Sequence, residues 1–137
     1  MATTAVYDKY AEKAGKADVD LVNHRIVAAL LDLSKGYAVD IAADEYLADL
    51  PAGTVLASLV LTGKTVGAKG AFSADASTFP SVAAGESVGA ILIYRDTGFV
   101  NDSALIYYSD DSVGLPITGD GDDVVIQWPS PIFKLKA

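Results

Sequence analysis

Val88-Gly89-Ala90-Ile91-Leu92-Ile93-Tyr94-Arg95-Asp96-Thr97-Gly98 is followed by Ser103-Ala104-Leu105-Ile106-Tyr107-Tyr108-Ser109 and then by Asp123-Val124-Val125-Ile126-Gln127-Trp128. These three apolar runs have strand length, are rich in β-branched and aromatic residues, and are bounded by Gly, Asn, Asp or Ser. In the first run Ile91 and Ile93 point one way and Ala90, Leu92 and Tyr94 the other. Both faces are apolar, so this strand is expected to be central and covered on both sides. Trp128 precedes Pro129, which has no N–H to give a ladder and stops the pairing. The block is read as the inner sheet of a sandwich, with Ile91, Leu92, Ile93, Leu105, Ile106, Val125, Ile126 and Trp128 as its main core. The expected fold class is mainly β: a single-domain β-sandwich or jelly-roll-like fold with one or two short helices.

Upstream of this block, Ile26 to Leu33 is continuously apolar and reads as a buried strand, with Tyr37 to Ile41 as a short continuation. Ala43 to Leu50 groups Tyr46, Leu47 and Leu50 at helical spacing and predicts one or two helical turns ended by Pro51. Thr54 to Leu61 reads as a strand with Val55, Ala57, Leu59 and Leu61 on the apolar face and Thr54 and Ser58 opposite. Gly63 suggests a bulge in its extension to Val66. The four-residue loop Gly67-Ala68-Lys69-Gly70 leads into Ala71-Phe72-Ser73, which is expected to pair back as a hairpin. Ser77-Thr78-Phe79 before Pro80 predicts a short edge strand. Leu115 to Thr118 is read as a brief extended piece and Ile132 to Leu135 as the last strand. Short strands at this spacing favour a sandwich or barrel.

At the other end of the chain, Tyr7 to Lys16 has helix-forming composition, with Tyr7, Ala11 and Ala14 on one face. Residues 1–20 are therefore read as an N-terminal helix or arm and residues 21–137 as the β-sandwich domain. The segment is either a helix lying on its own domain or an arm ordered by a partner. Val6, Tyr7 and Tyr10 beside Lys9, Lys13 and Lys16 make the densest basic patch in an acidic chain, and these six are the candidate contacts to a partner or to a second copy. On that reading, residues up to Lys16 matter more for assembly than for stability. The competing view is that Tyr7 and Tyr10 close the open end of the sandwich.

The chain has 137 residues, no cysteine and a formal net charge of −8. That length fits one domain with a sizeable core, needing neither disulfides nor a metal. The charge would repel a phosphate backbone, so no nucleic acid is expected as a partner. No apolar run is long enough to span a bilayer, and no basic stretch precedes an apolar one at the start, so neither a membrane role nor a signal peptide is expected. The single histidine, His24, has no companion for catalysis, and the chain carries no Gly-x-Ser-x-Gly, phosphate-loop or dinucleotide motif. Asp120-Gly121-Asp122-Asp123, with Asp110 and Asp111, is the best cation candidate, but it lacks the alternating ligands of a calcium loop and reads as a hairpin turn. No catalytic, cofactor-binding or metal residue is assigned, no cofactor is expected and the chain is not read as an enzyme. Tyr7, Tyr10, Tyr94, Tyr107, Tyr108 and Trp128 are either half-buried strand aromatics or a sugar- or protein-binding surface.

The order of motifs adds a resemblance. Tyr7-Asp8-Lys9 is followed by Glu45-Tyr46-Leu47-Ala48-Asp49-Leu50-Pro51-Ala52-Gly53 and Leu61-Thr62-Gly63-Lys64-Thr65-Val66. Then come Ile91 to Gly98, Gly114-Leu115-Pro116-Ile117-Thr118, Val124 to Trp128 and Ile132-Phe133-Lys134-Leu135. Over nearly the whole chain this resembles a family of small virion proteins of tailed bacteriophages that includes capsid cement (decoration) proteins. The resemblance implies a non-enzymatic structural protein that binds and stabilises the major capsid lattice. It implies the major capsid protein as partner, a homo-oligomer (trimer or dimer), and a place on the head surface of a virion assembled in the bacterial host cytoplasm. It carries no catalytic residues. The alternative is a tail-associated carbohydrate- or receptor-binding module that uses exposed aromatics.

Overall fold

The structure is a computed structural model that describes residues 4–16, 19–80, 87–110, 117–118, 121–128 and 131–134. Its strands are β1 (Thr4–Val6), β2 (Ile26–Leu31), β3 (Val55–Val60), β4 (Thr65–Val66), β5 (Ala71–Ser73) and β6 (Ser77–Phe79). They continue with β7 (Ser87–Val88), β8 (Ala90–Arg95), β9 (Leu105–Ser109), β10 (Ile117–Thr118), β11 (Val124–Ile126) and β12 (Phe133–Lys134). One α-helix, α1 (Asp8–Gly15), follows β1. The fold is mainly β and sandwich-like, with every ladder antiparallel.

The main sheet has the order β1-β9-β8-β2-β3, so the strand read as central is central. Register places Ile93 opposite both Ala28 and Tyr107, and Leu92 opposite both Ala29 and Tyr108. Opposed residues share a face, so Ile93 and Leu92 lead two apolar layers on opposite sides of one sheet. Both layers are buried: all of β2 and β9, and β8 up to Tyr94, lie in the core. On the Tyr107 side a small sheet of order β12-β5-β4 packs down through Phe133, whose ring stacks on Tyr107 at 5.4 Å and meets Phe72 at 5.3 Å. On the Tyr108 side the cover includes Tyr37, edge-on to Tyr108 at 6.1 Å.

The hairpin read from Gly67 to Gly70 is present, with Thr65 opposite Ser73 and Val66 opposite Phe72. Gly63 ahead of it has φ +64°, a left-handed conformation that favours glycine, and a Cβ there would force the Asp75 carboxylate, 2.3 Å away, to move.

Several expectations need correcting. β11 is not in the inner sheet; it pairs with β6, Val124 opposite Phe79 and Ile126 opposite Ser77. The reason is one-sided burial: Val124 and Ile126 are buried while Val125 is 49% exposed, so Val125 is not core. Trp128 is half-buried and donates its indole N–H to Ser77 Oγ at 2.9 Å. Tyr37 to Ile41 is not a strand, because Asp40 folds back and accepts the Ala42 and Ala43 N–H groups. The helix expected from Ala43 to Leu50 shrinks to one 3-10 turn, Leu47–Asp49. Its N–H groups are claimed elsewhere: Leu47 donates to Ser103 O and Ala48 to Val100 O, both at 2.9 Å. Thr54, expected on a polar face, is buried, and among the described residues its hydroxyl has no hydrogen-bond partner. Asp120 and residues 111–116 and 135–137 lie outside the described residues, and with them Gly114 to Pro116, the Asp111 side of the acidic turn and Leu135 of the last strand.

Candidate functional site

The N-terminal contact patch does not exist in the form expected. β1 is zipped to β9, with Val6 opposite Tyr107, and Val6 is half-buried. Tyr7 and Tyr10 are 0% and 1% exposed. Tyr37 gives its hydroxyl proton to Asp44 at 2.7 Å, so the 2.7 Å contact between the Tyr7 and Tyr37 hydroxyls has Tyr7 donating. Tyr10 meets Phe133 edge-on at 6.3 Å. Both tyrosines are thus packed into the core rather than displayed on the surface. Burial pushes the Tyr10 phenol up to about 12, and pushes Tyr7 and Tyr37 up as well.

The lysines divide. Lys13 is engaged by Glu45 and stands 4.8 Å from the centre of the Tyr46 ring, and its bond holds the Glu45 carboxyl below the usual range. Lys9 faces Glu12 at 3.7 Å, a surface pair of small energetic weight. Lys16 is exposed. The six residues read as one patch are therefore split between core, ion pair and surface. Tyr94, Tyr107 and Tyr108 are also buried, which removes the stacking surface those aromatics would have given a sugar.

His24 has a structural place. Its Nδ1 accepts the Asp20 N–H at 2.8 Å, while the Asp20 carboxylate accepts the N–H groups of Val22 and Asn23, both at 3.0 Å. In the acidic turn Asp122 and Asp123 are exposed, and among the described residues no group of three or more His, Asp or Glu is placed to hold a metal ion. No helix of the described residues is long and apolar enough to cross a membrane.

The most distinctive surface lies in the loop from Asp96 to Ser103, after the central strand. Phe99 is 72% exposed and Val100 54%. An exposed phenyl ring on a floppy loop would mean little, but this loop is bolted down. Asp96 accepts the Gly98 N–H and the Arg25 Nε–H, both at 2.8 Å, and those two bonds hold its carboxyl below the usual range. Ser103 Oγ donates to Phe99 O at 2.8 Å and the Ser103 N–H adds a bond to the same oxygen at 3.1 Å. The Thr97 hydroxyl engages Asp102. Asp96, Thr97, Asp102 and Ser103 are all engaged in fixing the loop, and the phenyl ring is left outside.

Beside the tip is a groove of about 400 Å³ whose walls include Leu47, Leu50, Pro51, Val55 and Val100. The displaced 3-10 turn builds one wall, because its bonds to Val100 O and Ser103 O tie it to the tip. A second groove, of about 380 Å³, runs between α1 and the turn after it, with Tyr10, Ala14, Leu21, Val22 and Val66 among its lining. Neither Phe99 nor Val100 was assigned a role from the sequence. The signal was present: a Phe-Val pair enclosed by Asp96-Thr97-Gly98 and Asn101-Asp102-Ser103 sits inside a turn too short to carry it back to a core. No protein-family model matches the chain, and no curated protein matches it.

Proposed function

We propose that this chain is a non-enzymatic contact protein of a tailed-phage virion, a cement protein that binds the major capsid lattice across subunit junctions. The observation that carries the contact role is the immobilised tip that keeps Phe99 and Val100 in solvent beside an apolar groove. A rigid aromatic anchor loses little conformational freedom on binding, which is what a contact residue needs. The virion assignment is supported by the order of motifs from Tyr7 to Leu135. In this reading each copy contributes a weak contact, and repetition over a lattice, together with a trimeric or dimeric arrangement of the chain, makes the sum strong. The tail-associated sugar-binding alternative has less to draw on, since five of the six aromatics it would use are buried.

The test is location. Heads and tails are separated on a density gradient from phage particles carrying an epitope-tagged chain, and copies are counted by quantitative mass spectrometry. The cement reading expects the chain on heads at a copy number comparable to that of the capsid subunits. Recovery with tails in a few copies, or absence from particles, overturns it.

A further inference from the structure

We propose that the groove between α1 and the turn after it binds a small neutral apolar molecule that carries one hydrogen-bond acceptor, with the Tyr10 hydroxyl as the donor that holds it. The inference goes beyond the virion reading and does not depend on it.

Tyr10 is a buried tyrosine whose hydroxyl has nothing in the chain to bond. Tyr7, Tyr37 and Tyr108 spend theirs on Tyr37, Asp44 and Asp110. The Tyr10 hydroxyl has no hydrogen bond among the described residues, and burial alone raises its phenol, with no bond to counter it. The residue is 1% exposed, yet among the described residues the fully enclosed side-chain oxygen without a partner is Thr54 Oγ1 and not the Tyr10 oxygen. The sliver of Tyr10 left open is therefore at its hydroxyl, and the space in front of it is the groove that Tyr10 lines. A phenol shut away from water without a partner costs free energy, so a molecule that fills this space and accepts the bond is favoured over one that does not.

The rest of the lining defines what that molecule is. Ala14, Leu21, Val22 and Val66 make aliphatic walls, with Val22 and Val66 each 44% exposed, and Tyr10 is the lining residue with a side-chain donor. The space of about 380 Å³ suits a small molecule. The turn that forms one wall keeps its polar groups to itself. Asp20 accepts the N–H groups of Val22 and Asn23 at 3.0 Å and the Asn23 side-chain amide at 2.7 Å. The Asp20 N–H goes to His24 Nδ1 at 2.8 Å and the His24 N–H to Asp20 O at 3.0 Å. Those bonds hold the Asp20 carboxyl below the usual range, so it stays ionised but is already engaged. A cation finds both of its oxygens taken, and an anion is repelled by it and by a chain of net charge −8. A neutral acceptor on an apolar body is what remains.

The experiment titrates the whole chain with methyl hexanoate, heptanoate and heptylammonium, three probes of similar length that differ in charge, and follows backbone amide resonances. Methyl hexanoate should bind with a dissociation constant of about 1 mM or below and shift the amides of Ala14, Leu21, Val22 and Val66. Heptanoate and heptylammonium should bind several-fold more weakly, because each must shed water from a charge that the groove does not pair. Tyr10→Phe keeps the ring against Phe133 and removes only the hydroxyl. It should leave the melting temperature unchanged and weaken methyl hexanoate by about threefold to tenfold, the effect of one neutral hydrogen bond. Val22→Asp, on the exposed wall, is the second variant and should weaken it by about tenfold or more. An affinity that Tyr10→Phe leaves unchanged overturns the proposal, since the hydroxyl then serves only water. So do shifts at Leu50 and Val55 instead, tighter binding of either charged probe, no shifts up to the solubility limit, or a lowered melting temperature for Tyr10→Phe, which would give the hydroxyl a partner inside the chain. None of these outcomes bears on where the chain sits in a particle.

Discussion

The segment from Thr4 to Lys16 and the loop from Asp96 to Ser103 both mix aromatic residues with charges, and they sort that mixture in opposite ways. In the first the rings go inward: Tyr7 and Tyr10 are swallowed by the core, and Lys13 is spent on Glu45. In the second the polar groups go inward, and the Phe99 ring stays in water. The difference lies in reach. A paired strand followed by an eight-residue helix can set Tyr7, at their junction, and Tyr10, on the helix, against distant partners, Tyr37 and Phe133. A tight turn whose carboxylate and hydroxyls are needed for its own backbone cannot turn its aromatic residue around. Closeness of aromatic and basic residues in the chain says little about a binding surface; which groups the backbone consumes says more.

The contrast can be broken most directly at Tyr7. Tyr7→Ala removes a fully buried ring and the first link to Tyr37 and Asp44, and should destabilise the domain by about 3–5 kcal/mol in chemical denaturation. A loss below about 1 kcal/mol would restore the detachable arm. Next in size is an alkaline effect. Burial raises the phenol pKa of Tyr7, Tyr10, Tyr37, Tyr94 and Tyr108 in the folded state above the unfolded value of about 10. Their contribution is then complete below about pH 10 and is lost as pH rises through the folded values. The melting temperature should hold to about pH 9 and then fall, with tyrosinate absorbance and loss of β-sheet circular dichroism appearing together. Tyrosinate forming fully before the sheet signal changes would show that these rings are accessible after all.

Smaller effects sharpen the comparison. Thr54→Val replaces a buried hydroxyl that has no partner with a methyl of similar shape, and should stabilise by about 1 kcal/mol, read as a rise in melting temperature. A drop would mean that the hydroxyl is bonded. Phe99→Ser should move stability by less than about 0.5 kcal/mol, since the ring makes its living in solvent. If that substitution costs as much as Tyr7→Ala, the tip is part of the core and the two regions do not differ.

The central strand was readable in advance because both of its faces are apolar, and no other place in a sheet suits such a run. β11 was misplaced because Asp-Val-Val-Ile-Gln looks continuous, whereas only alternate residues, Val124 and Ile126, are buried. The helix from Ala43 was overestimated because the acceptors that claim its N–H groups, Val100 O and Ser103 O, lie some fifty residues further on. The fate of Tyr7 and Tyr10 was unreadable for the same reason: their partners come from Tyr37 and from Phe133 near the other end of the chain. Of the candidate site, the turn chemistry around Phe99 was visible in the sequence, but the groove was not, since it forms only when the segment around Leu50 is drawn against the tip.

One pairing bears on how the molecule comes into being. β1 is translated well before its ladder partner β9, with roughly a hundred residues between them. Until β9 follows, Thr4 to Val6 has no strand to join, and the phenol of Tyr7 and the ring of Tyr10 are exposed to whatever else is nearby. Closing so large a loop is slow compared with forming the local hairpins, so this edge of the sheet is laid down last. The interval between making the segment and burying it is when the nascent chain is open to misassociation, and a chaperone holding the span from Thr4 to Lys16 would find its substrate there.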